Sequence, residues 1–203
     1  MGLGVLMHVM VRWLALAFAP AFLVAQQDST RPADIFAAAT AAKLDSLYGP
    51  LLYLMRNEER GRYGGLTTEG KRAYLRRFWN RRDPTPGTPR NEALERFYDR
   101  VTTVNRMFRE GGAAEIPGWR TDRGRIYLKY GPPDRVLSRP HPSSTNPYEV
   151  WRYIRFRQRK FVFFDLTRFG NYALIWTDEQ LEPTRVDWRL LLSPEALKDI
   201  SRF

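Results

Sequence analysis

Apolar residues recur at spacings of three and four along three segments of the chain, which predicts amphipathic helices. These segments are residues 33–48, 71–80 and 91–109. In the longest of them, a single stripe is formed by Leu94, Phe97, Val101, Val104 and Phe108. Residue types that favour helix N-caps precede two of these segments and a further short helix predicted over Pro194 to Ser201. The predicted caps are Thr67, Asn91 and Ser193.

Beyond Trp119 the apolar pattern changes to a period of two, which is typical of β-strands. Strands are predicted over Arg125–Tyr130, Tyr148–Phe156, Lys160–Leu166 and Tyr172–Thr177. Residues 137–147 are predicted to form a loop and residues 168–171 a hairpin turn. The candidate core pairs of this sheet are Ile126 with Leu128, Val162 with Phe164, and Leu174 with Trp176. The predicted fold class is α+β, with N-terminal helices packed on a small antiparallel β-meander of about four strands.

The apolar run from Trp13 to Ala25 follows Arg12 and ends abruptly at Gln26. A basic residue, a short apolar core and a small final residue are typical of a secretory signal peptide. Residues 1–25 are therefore predicted to be a signal peptide, with an N-terminal membrane anchor and a buried helix as alternatives. The arginine and the short length of the run favour the signal peptide over the anchor.

The rest of the chain has a length that suits one domain. Residues 26–65 are predicted to form a linker and an N-terminal helical segment, and residues 66–203 the α+β domain. The sequence contains no cysteine, which excludes disulfides, thiolate metal ligands and a cysteine nucleophile.

The formal net charge of the protein is +11, and its 33 basic residues comprise 28 arginines and 5 lysines. One interpretation is an anionic partner, because a strongly basic surface attracts nucleic acids, phosphorylated polymers and membrane surfaces. The other is that the excess of arginine reflects a GC-rich genome and general solubility.

The run from Gly118 to Asp134 combines a tryptophan, two carboxylates and several turn residues. It resembles the signature of the GWxTD domain family, with Gly118, Trp119, Thr121 and Asp122 at the positions that name the family. Further similarities are Phe78-Trp79 followed by Arg82-Asp83-Pro84, and the segment from Tyr148 to Tyr153. The resemblance therefore covers roughly residues 66–178. The resemblance implies an exported bacterial protein and carries no established biochemical activity.

The same run supplies the candidate binding residues, which are Trp119, Asp122, Arg123, Arg125, Tyr127 and Asp134. One interpretation is architectural, because Trp, Gly and Pro are core and turn residues, and Gly124 would permit a backbone conformation that other residues avoid. In the other, the six residues line one cleft, where an aromatic ring and carboxylates suit a sugar. Two carboxylates could also hydrolyse a glycoside if they lay roughly 5–9.5 Å apart.

Two basic clusters are candidate surfaces for an anionic partner. Their members are Arg72, Arg76 and Arg77 in the first cluster and Arg152, Arg155 and Arg157 in the second. Basic residues interleaved with aromatic ones can bind single-stranded nucleic acid, although export would disfavour that partner. Anionic envelope components or another envelope protein are then the expected partners, with membrane association possible through the N-terminus. The alternative is a solvated face on which arginine stems cover apolar surface.

No catalytic residue, metal or cofactor is predicted. Of two histidines, His8 lies in the predicted signal peptide and His141 in a loop. One remaining histidine and no cysteine cannot supply the usual zinc ligands. The predicted function is therefore an exported, periplasmic or secreted cell-envelope domain that binds or scaffolds. The alternatives are a carboxylate-based envelope glycan hydrolase and, if the protein is not exported, a nucleic-acid-binding protein.

Overall fold

Five α-helices and one four-stranded antiparallel sheet make up the part of the chain that the computed structural model describes, which is residues 34–110, 115–155 and 157–203. The helices are α1 (Ala41–Tyr48), α2 (Thr68–Asn80), α3 (Glu92–Met107), α4 (Asp122–Tyr130) and α5 (Pro194–Arg202). The strands are β1 (Arg135–Arg139), β2 (Tyr148–Tyr153), β3 (Arg159–Asp165) and β4 (Tyr172–Thr177). This confirms the α+β fold class. The predicted signal peptide, residues 1–25, lies outside the described residues.

The helix starts are set by side chains that accept hydrogen bonds from otherwise unsatisfied backbone N–H groups. The acceptors are Thr67 Oγ1 from Gly70 (3.2 Å), Asn91 Oδ1 from Leu94 (2.9 Å) and Ser193 Oγ from Ala196 (3.2 Å). All three predicted caps are confirmed. Helix α1 is shorter than the predicted segment 33–48, because Thr40 caps it and the preceding residues form a turn.

The four strands follow one another in the order β1-β2-β3-β4, each antiparallel to the next. The strand predicted over Arg125–Tyr130 is wrong, since those residues belong to α4. Ile126 and Leu128 are both fully buried, although they lie on different faces of α4. Elements on both sides of the helix, including α3 and β4, cover them. Burial around much of the helix replaces the expected spacing of three and four with an alternation that mimics a strand.

Strand β1 was not predicted, because it is the exposed edge of the sheet and lacks an alternating buried face. The loop predicted over residues 137–147 therefore begins later, after Arg139. The predicted hairpin turn between β3 and β4 is confirmed. There, the Asp165 carboxylate accepts backbone hydrogen bonds from Thr167 and Gly170, and the Phe169 side chain at the tip is exposed.

Two hydrophobic cores lie on opposite faces of the sheet. The first packs α1–α4 against a face that presents Trp151, Phe161 and Phe163. The second lies between the other face and the segment that follows the sheet, which ends in α5; its members include Val150, Val162, Ile175, Trp188 and Ile200. Burial of each large apolar side chain contributes roughly 1.5–3 kcal/mol to folding, so both layers stabilise the sheet.

A β-bulge divides one of the predicted core pairs, Leu174 with Trp176, between the two faces of the sheet. The register of β3 and β4 shifts between Val162 and Phe163. Leu174 consequently faces the first core, whereas Ile175 and Trp176 pack in the second. The pairing of Leu174 with Trp176 on one face is therefore wrong, because the bulge interrupts the two-residue alternation. Val162 and Phe164 do share a face.

The residues before position 65 contribute to the first core through Phe36, Leu44, Leu51 and Tyr63. None of the helices in the described ranges is both long enough and apolar enough to cross a lipid bilayer.

Candidate functional site

The run from Gly118 to Asp134 folds into a 3₁₀ turn, helix α4 and an exit turn. Thr121 begins the helix: its hydroxyl accepts a hydrogen bond from the Gly124 N–H at 3.0 Å and donates one to the Gly118 carbonyl at 2.8 Å. A Cβ at Gly118 would lie 1.9 Å from the Val104 oxygen, and one at Gly124 would lie 1.8 Å from the Gly118 oxygen. Gly124 is helical, so close packing and not an unusual backbone conformation requires glycine there.

Trp119 and Tyr127 pack within the first core. The half-buried Trp119 ring meets Tyr53 edge-on, with 6.2 Å between the ring centroids, and a Cβ at Gly49 would lie 3.0 Å from the indole. Tyr127 meets Trp151 edge-on at 6.4 Å. These contacts join the N-terminal helices to α4 and the sheet, which is an architectural role.

Asp122 ties the N-terminus of α4 to strand β4. One carboxylate oxygen accepts a hydrogen bond from the Leu174 backbone N–H at 2.8 Å, and the other contacts the Arg125 guanidinium at 3.1 Å. Leu174 sits at the bulge, where the regular ladder is interrupted. The carboxylate therefore satisfies a backbone donor that the neighbouring strand leaves unused.

Arg123 is a buried cation held between two carboxylates and an aromatic ring. Its guanidinium donates to Glu110 at 2.8 Å and to Glu149 at 3.2 Å, and it lies 3.9 Å from the centroid of the Tyr172 ring. Burial raises the pKa of Glu110, and the hydrogen bond from Arg123 only partly offsets that effect. The four residues form a filled polar cluster.

Glu182 joins the segment after β4 to the outer side of α4. Its side chain is only 1% exposed and contacts Arg125, Lys129 and the hydroxyl of Tyr130. Burial alone would raise the pKa of Glu182, but the hydrogen bonds from Lys129 and Arg125 outweigh burial and lower it. Arg125 is thus shared between Asp122 and Glu182.

Asp134 lies beyond the other end of α4 and organises the turn after β2. It accepts a hydrogen bond from the Ile154 N–H at 2.7 Å and contacts the Arg155 guanidinium. These backbone and side-chain hydrogen bonds lower the pKa of Asp134. Gly131, which ends α4 with a φ of +83°, accepts a hydrogen bond from the Tyr153 hydroxyl at 2.8 Å.

The six motif residues proposed as one binding site therefore lie in different places. Asp122 and Asp134 flank a nine-residue helix, whose length is about 13 Å, and they contact strands β4 and β2. Trp119 and Tyr127 are core contacts, and Arg123 is enclosed by carboxylates. Of the six, Asp134 lines a cleft.

That cleft, called here the Arg100 cleft, has a volume of about 150 Å³. Its lining consists of four arginines, the rings of two tyrosines and the turn after α4. The arginines are Arg100, Arg155, Arg157 and Arg159. They come from α3, the β2–β3 connection and the start of β3. Two carboxylates, Asp134 and Glu179, contact them, so two positive charges remain in excess.

A second cleft of about 380 Å³ adjoins the first, because Arg100 lines both. Its cationic lining comprises Arg82, Arg96, Arg100 and Lys129, over an apolar floor that includes Trp79 and Phe97. Glu59 contacts Arg82 and Glu182 contacts Lys129. Within the described ranges, no carboxylate oxygen lies within 4.0 Å of the Arg96 or Arg100 guanidinium. The two clefts together are called the basic groove.

The predicted basic clusters are only partly represented in this groove. Arg155 and Arg157 line it, whereas Arg152 donates to the Phe203 carbonyl on the other side of the sheet. On α2, Arg72 contacts Glu69, Arg76 contacts Asp34, and Arg77 is exposed. Sequence reasoning missed Arg96 and Arg100, the two groove cations that contact no carboxylate among the residues that the structure describes. Their spacing of four residues on the polar side of α3 was the available signal.

His141 lines an open cleft of about 560 Å³ with Ser143, Ser144 and Arg168. Ser144 donates a hydrogen bond to Glu195 at 3.2 Å. Across residues 34–110, 115–155 and 157–203, there is no group of three or more His, Cys, Asp or Glu side chains placed to hold a metal ion.

Comparison with known proteins gives one positive result. The family model described as the GWxTD domain matches residues 26–181. No curated protein and no solved structure matches the chain.

Proposed function

The chain belongs to the GWxTD domain family, and on that premise we propose that it is an exported cell-envelope module that binds an anionic partner through the basic groove. The observation that carries the proposal is the position of Arg100, which joins two clefts into one cationic surface. Cations from α3, α4, β3 and the segments that follow α2 and β2 converge there although they are far apart in sequence.

The charge balance of the groove supports binding of an anion. Seven cationic side chains line it, and four carboxylates contact them. Arg96 and Arg100 are the two of the seven that contact no carboxylate within the described ranges. Such an arrangement focuses a positive potential in a concave surface and raises the local concentration of an anionic ligand.

Export is supported by the sequence pattern of residues 1–25. The compartment determines which anionic partners the protein meets. A protein outside the cytoplasm meets anionic lipids and phosphorylated envelope polymers, whereas nucleic acid is the abundant polyanion inside the cell. Fractionation with N-terminal sequencing tests this part. A mature protein that starts near Gln26 and lies outside the cytoplasm would support export.

The contacts of Asp122 and Asp134 weigh against the glycan-hydrolase alternative. A glycosidase needs two carboxyl groups roughly 5–9.5 Å apart on either side of one sugar. Here each carboxylate accepts a backbone hydrogen bond in a different part of the fold. Both are used to position structural elements.

Vesicle sedimentation tests the binding function. We expect the protein to sediment with vesicles rich in phosphatidylglycerol and to stay in solution with neutral phosphatidylcholine, with binding that weakens as salt is raised. The double variant Arg96→Glu/Arg100→Glu should lose binding, because it places two negative charges at the centre of the groove.

Lys198→Glu/Arg202→Glu is the matched control, because it makes the same change in net charge and both residues are exposed on α5, which covers the opposite face of the sheet. Equal loss of binding in this control would show that net charge alone attracts the protein, and it would refute the groove. Binding to single-stranded nucleic acid with no binding to anionic vesicles would instead favour the alternative partner.

A further inference from the structure

Two arginines of the Arg100 cleft are held in a way that leaves their outer nitrogens available. Arg155 Nε donates to Asp134, and Arg159 Nε donates to Glu179 at 2.5 Å. In the described part of the chain, the terminal Nη1 and Nη2 atoms of these two residues make no hydrogen bond. An arginine offers its terminal nitrogens as a pair of parallel donors to one oxyanion.

Arg159 and Arg100 are also held by neighbouring groups. Arg159 lies 5.0 Å from the centroid of the Tyr130 ring and is 24% exposed. Arg100 packs on Gly131, where a Cβ would lie 3.3 Å from its Nη2 atom. Because these side chains are held by neighbours before any ligand arrives, binding costs less conformational entropy than it would on mobile surface arginines.

The tyrosines contribute walls and not donors to this cleft. The Tyr130 hydroxyl donates to Glu182, and the Tyr153 hydroxyl donates to the Gly131 carbonyl. The ligand-facing donors are therefore guanidinium groups. They are selective for negative charge and for a planar pair of oxygen acceptors.

We propose that the Arg100 cleft binds a single phosphate monoester group at the end of an anionic ligand. This inference rests on the proposed function and specifies the chemistry of the groove. The excess of two positive charges matches a phosphate monoester, which carries about −1.5 to −2 at neutral pH. A cleft of about 150 Å³ is smaller than the roughly 300–1,000 Å³ pockets that enclose whole small molecules, so the remainder of the ligand would lie along the second cleft.

The inference assigns a role to the second half of the family motif. Gly131 makes room for Arg100, and Asp134 holds Arg155 by its Nε atom. Asp134 is thus a positioning residue, which acts on the ligand through the arginine that it orients. The first half of the motif, Gly118 to Asp122, positions helix α4, and the turn that follows α4 lines the cleft.

Isothermal titration calorimetry of the full chain tests the inference, with inorganic phosphate and glucose 1-phosphate as probes at neutral pH and low salt. We expect both to bind, and Arg100→Gln or Arg159→Gln to weaken each by about tenfold or more, since one charged hydrogen bond contributes about 1.5–3 kcal/mol. Arg155→Gln, at an exposed residue of the same cleft, should also weaken binding of both probes. Arg202→Gln, on the opposite face of the sheet, should leave phosphate binding unchanged.

Vesicles of matched total charge separate a lipid source of the phosphate from a soluble one. Phosphatidic acid carries a monoester and phosphatidylglycerol a diester. We expect stronger retention on phosphatidic acid, and loss of that preference in Arg159→Gln. Equal retention on both lipids, together with phosphate binding that the cleft variants weaken, would support a monoester on a soluble ligand. Phosphate affinity that the cleft variants do not change would overturn the inference.

The two proposals fail separately. If vesicles bind through Arg96 and Arg100 but neither phosphate probe binds, the groove remains an anionic surface and the monoester site is refuted. If the phosphate probes bind in the cleft and no anionic vesicle is retained, the monoester site stands and an anionic lipid as partner of the groove is refuted.

Discussion

The carboxylate of Asp122 accepts a hydrogen bond from the backbone N–H of Leu174 at 2.8 Å, across 52 positions of sequence. The acceptor stands in the first turn of α4, and the donor lies at the bulge of β4. The bond closes the edge of the sheet with a helix, so β4 does not offer this donor to another chain. Asp122, the aspartate of the family motif, therefore links the N-terminus of α4 to strand β4.

Asp122→Ala should lower the free energy of unfolding by about 1–3 kcal/mol, because it leaves the Leu174 N–H without an acceptor. Asp122→Asn keeps an oxygen acceptor and should cost less. Chemical denaturation monitored by tryptophan fluorescence measures both. Equal losses for the two variants would contradict a role based on the backbone hydrogen bond.

Gly118→Ala should destabilise the protein by about 3 kcal/mol, the upper end of the usual cost of overpacking, since the new Cβ would lie 1.9 Å from the Val104 carbonyl oxygen. Gly65→Ala is the matched control, because no atom lies within 4 Å of its Cβ position. The control should change stability by less than about 1 kcal/mol. Thermal unfolding of both variants decides the matter.

Glu182→Gln should cost about 3 kcal/mol, because it removes a buried negative charge and leaves Arg125 and Lys129 without it. Glu115→Gln breaks an exposed pair with Arg109, whose side chains are 57% and 69% exposed. That control should change stability by about 0–1 kcal/mol. Similar effects in denaturant titrations would argue against Glu182 as the link between α4 and the segment after β4.

Acid titration of the same variant gives an independent test. The pKa of Glu182 is lowered in the folded protein from its ordinary value of 4.5. Its stabilising contribution is therefore complete above about pH 4.5 and is lost as pH falls through the folded pKa. The stability difference between the wild type and Glu182→Gln should stay constant near neutral pH and shrink in acid. A difference that grows in acid would contradict the lowered pKa.

Much of the helical layer was predictable from the sequence because each signal was local. Thr67, Asn91 and Ser193 cap helices that also carry clear apolar stripes. Helix α4 was not predictable in the same way. It is covered on several sides by α3, β4 and the N-terminal turns, so its apolar positions lack a single face. Strand β1 was missed for the opposite reason, since almost nothing on it is buried.

The basic groove was less accessible to sequence reasoning than the fold. Arg155 and Arg157 were identified because they are consecutive members of a charged run. Arg96 and Arg100 stand on a helix whose other residues carry the stronger apolar signal, and Arg82 follows α2. Their convergence depends on how α2, α3 and α4 pack, which no local pattern records.

The division of the sheet between two cores has a consequence for how the protein opens. Helices α1–α4 precede the whole sheet in the chain and close one face, whereas the layer that ends in α5 follows the sheet and closes the other. The later layer is short and packs on its own face of the sheet, so we expect α5 to detach as a separate cooperative unit. Amide protons of α5 would then exchange with solvent deuterium through partial opening, while those of α3 would wait for complete unfolding.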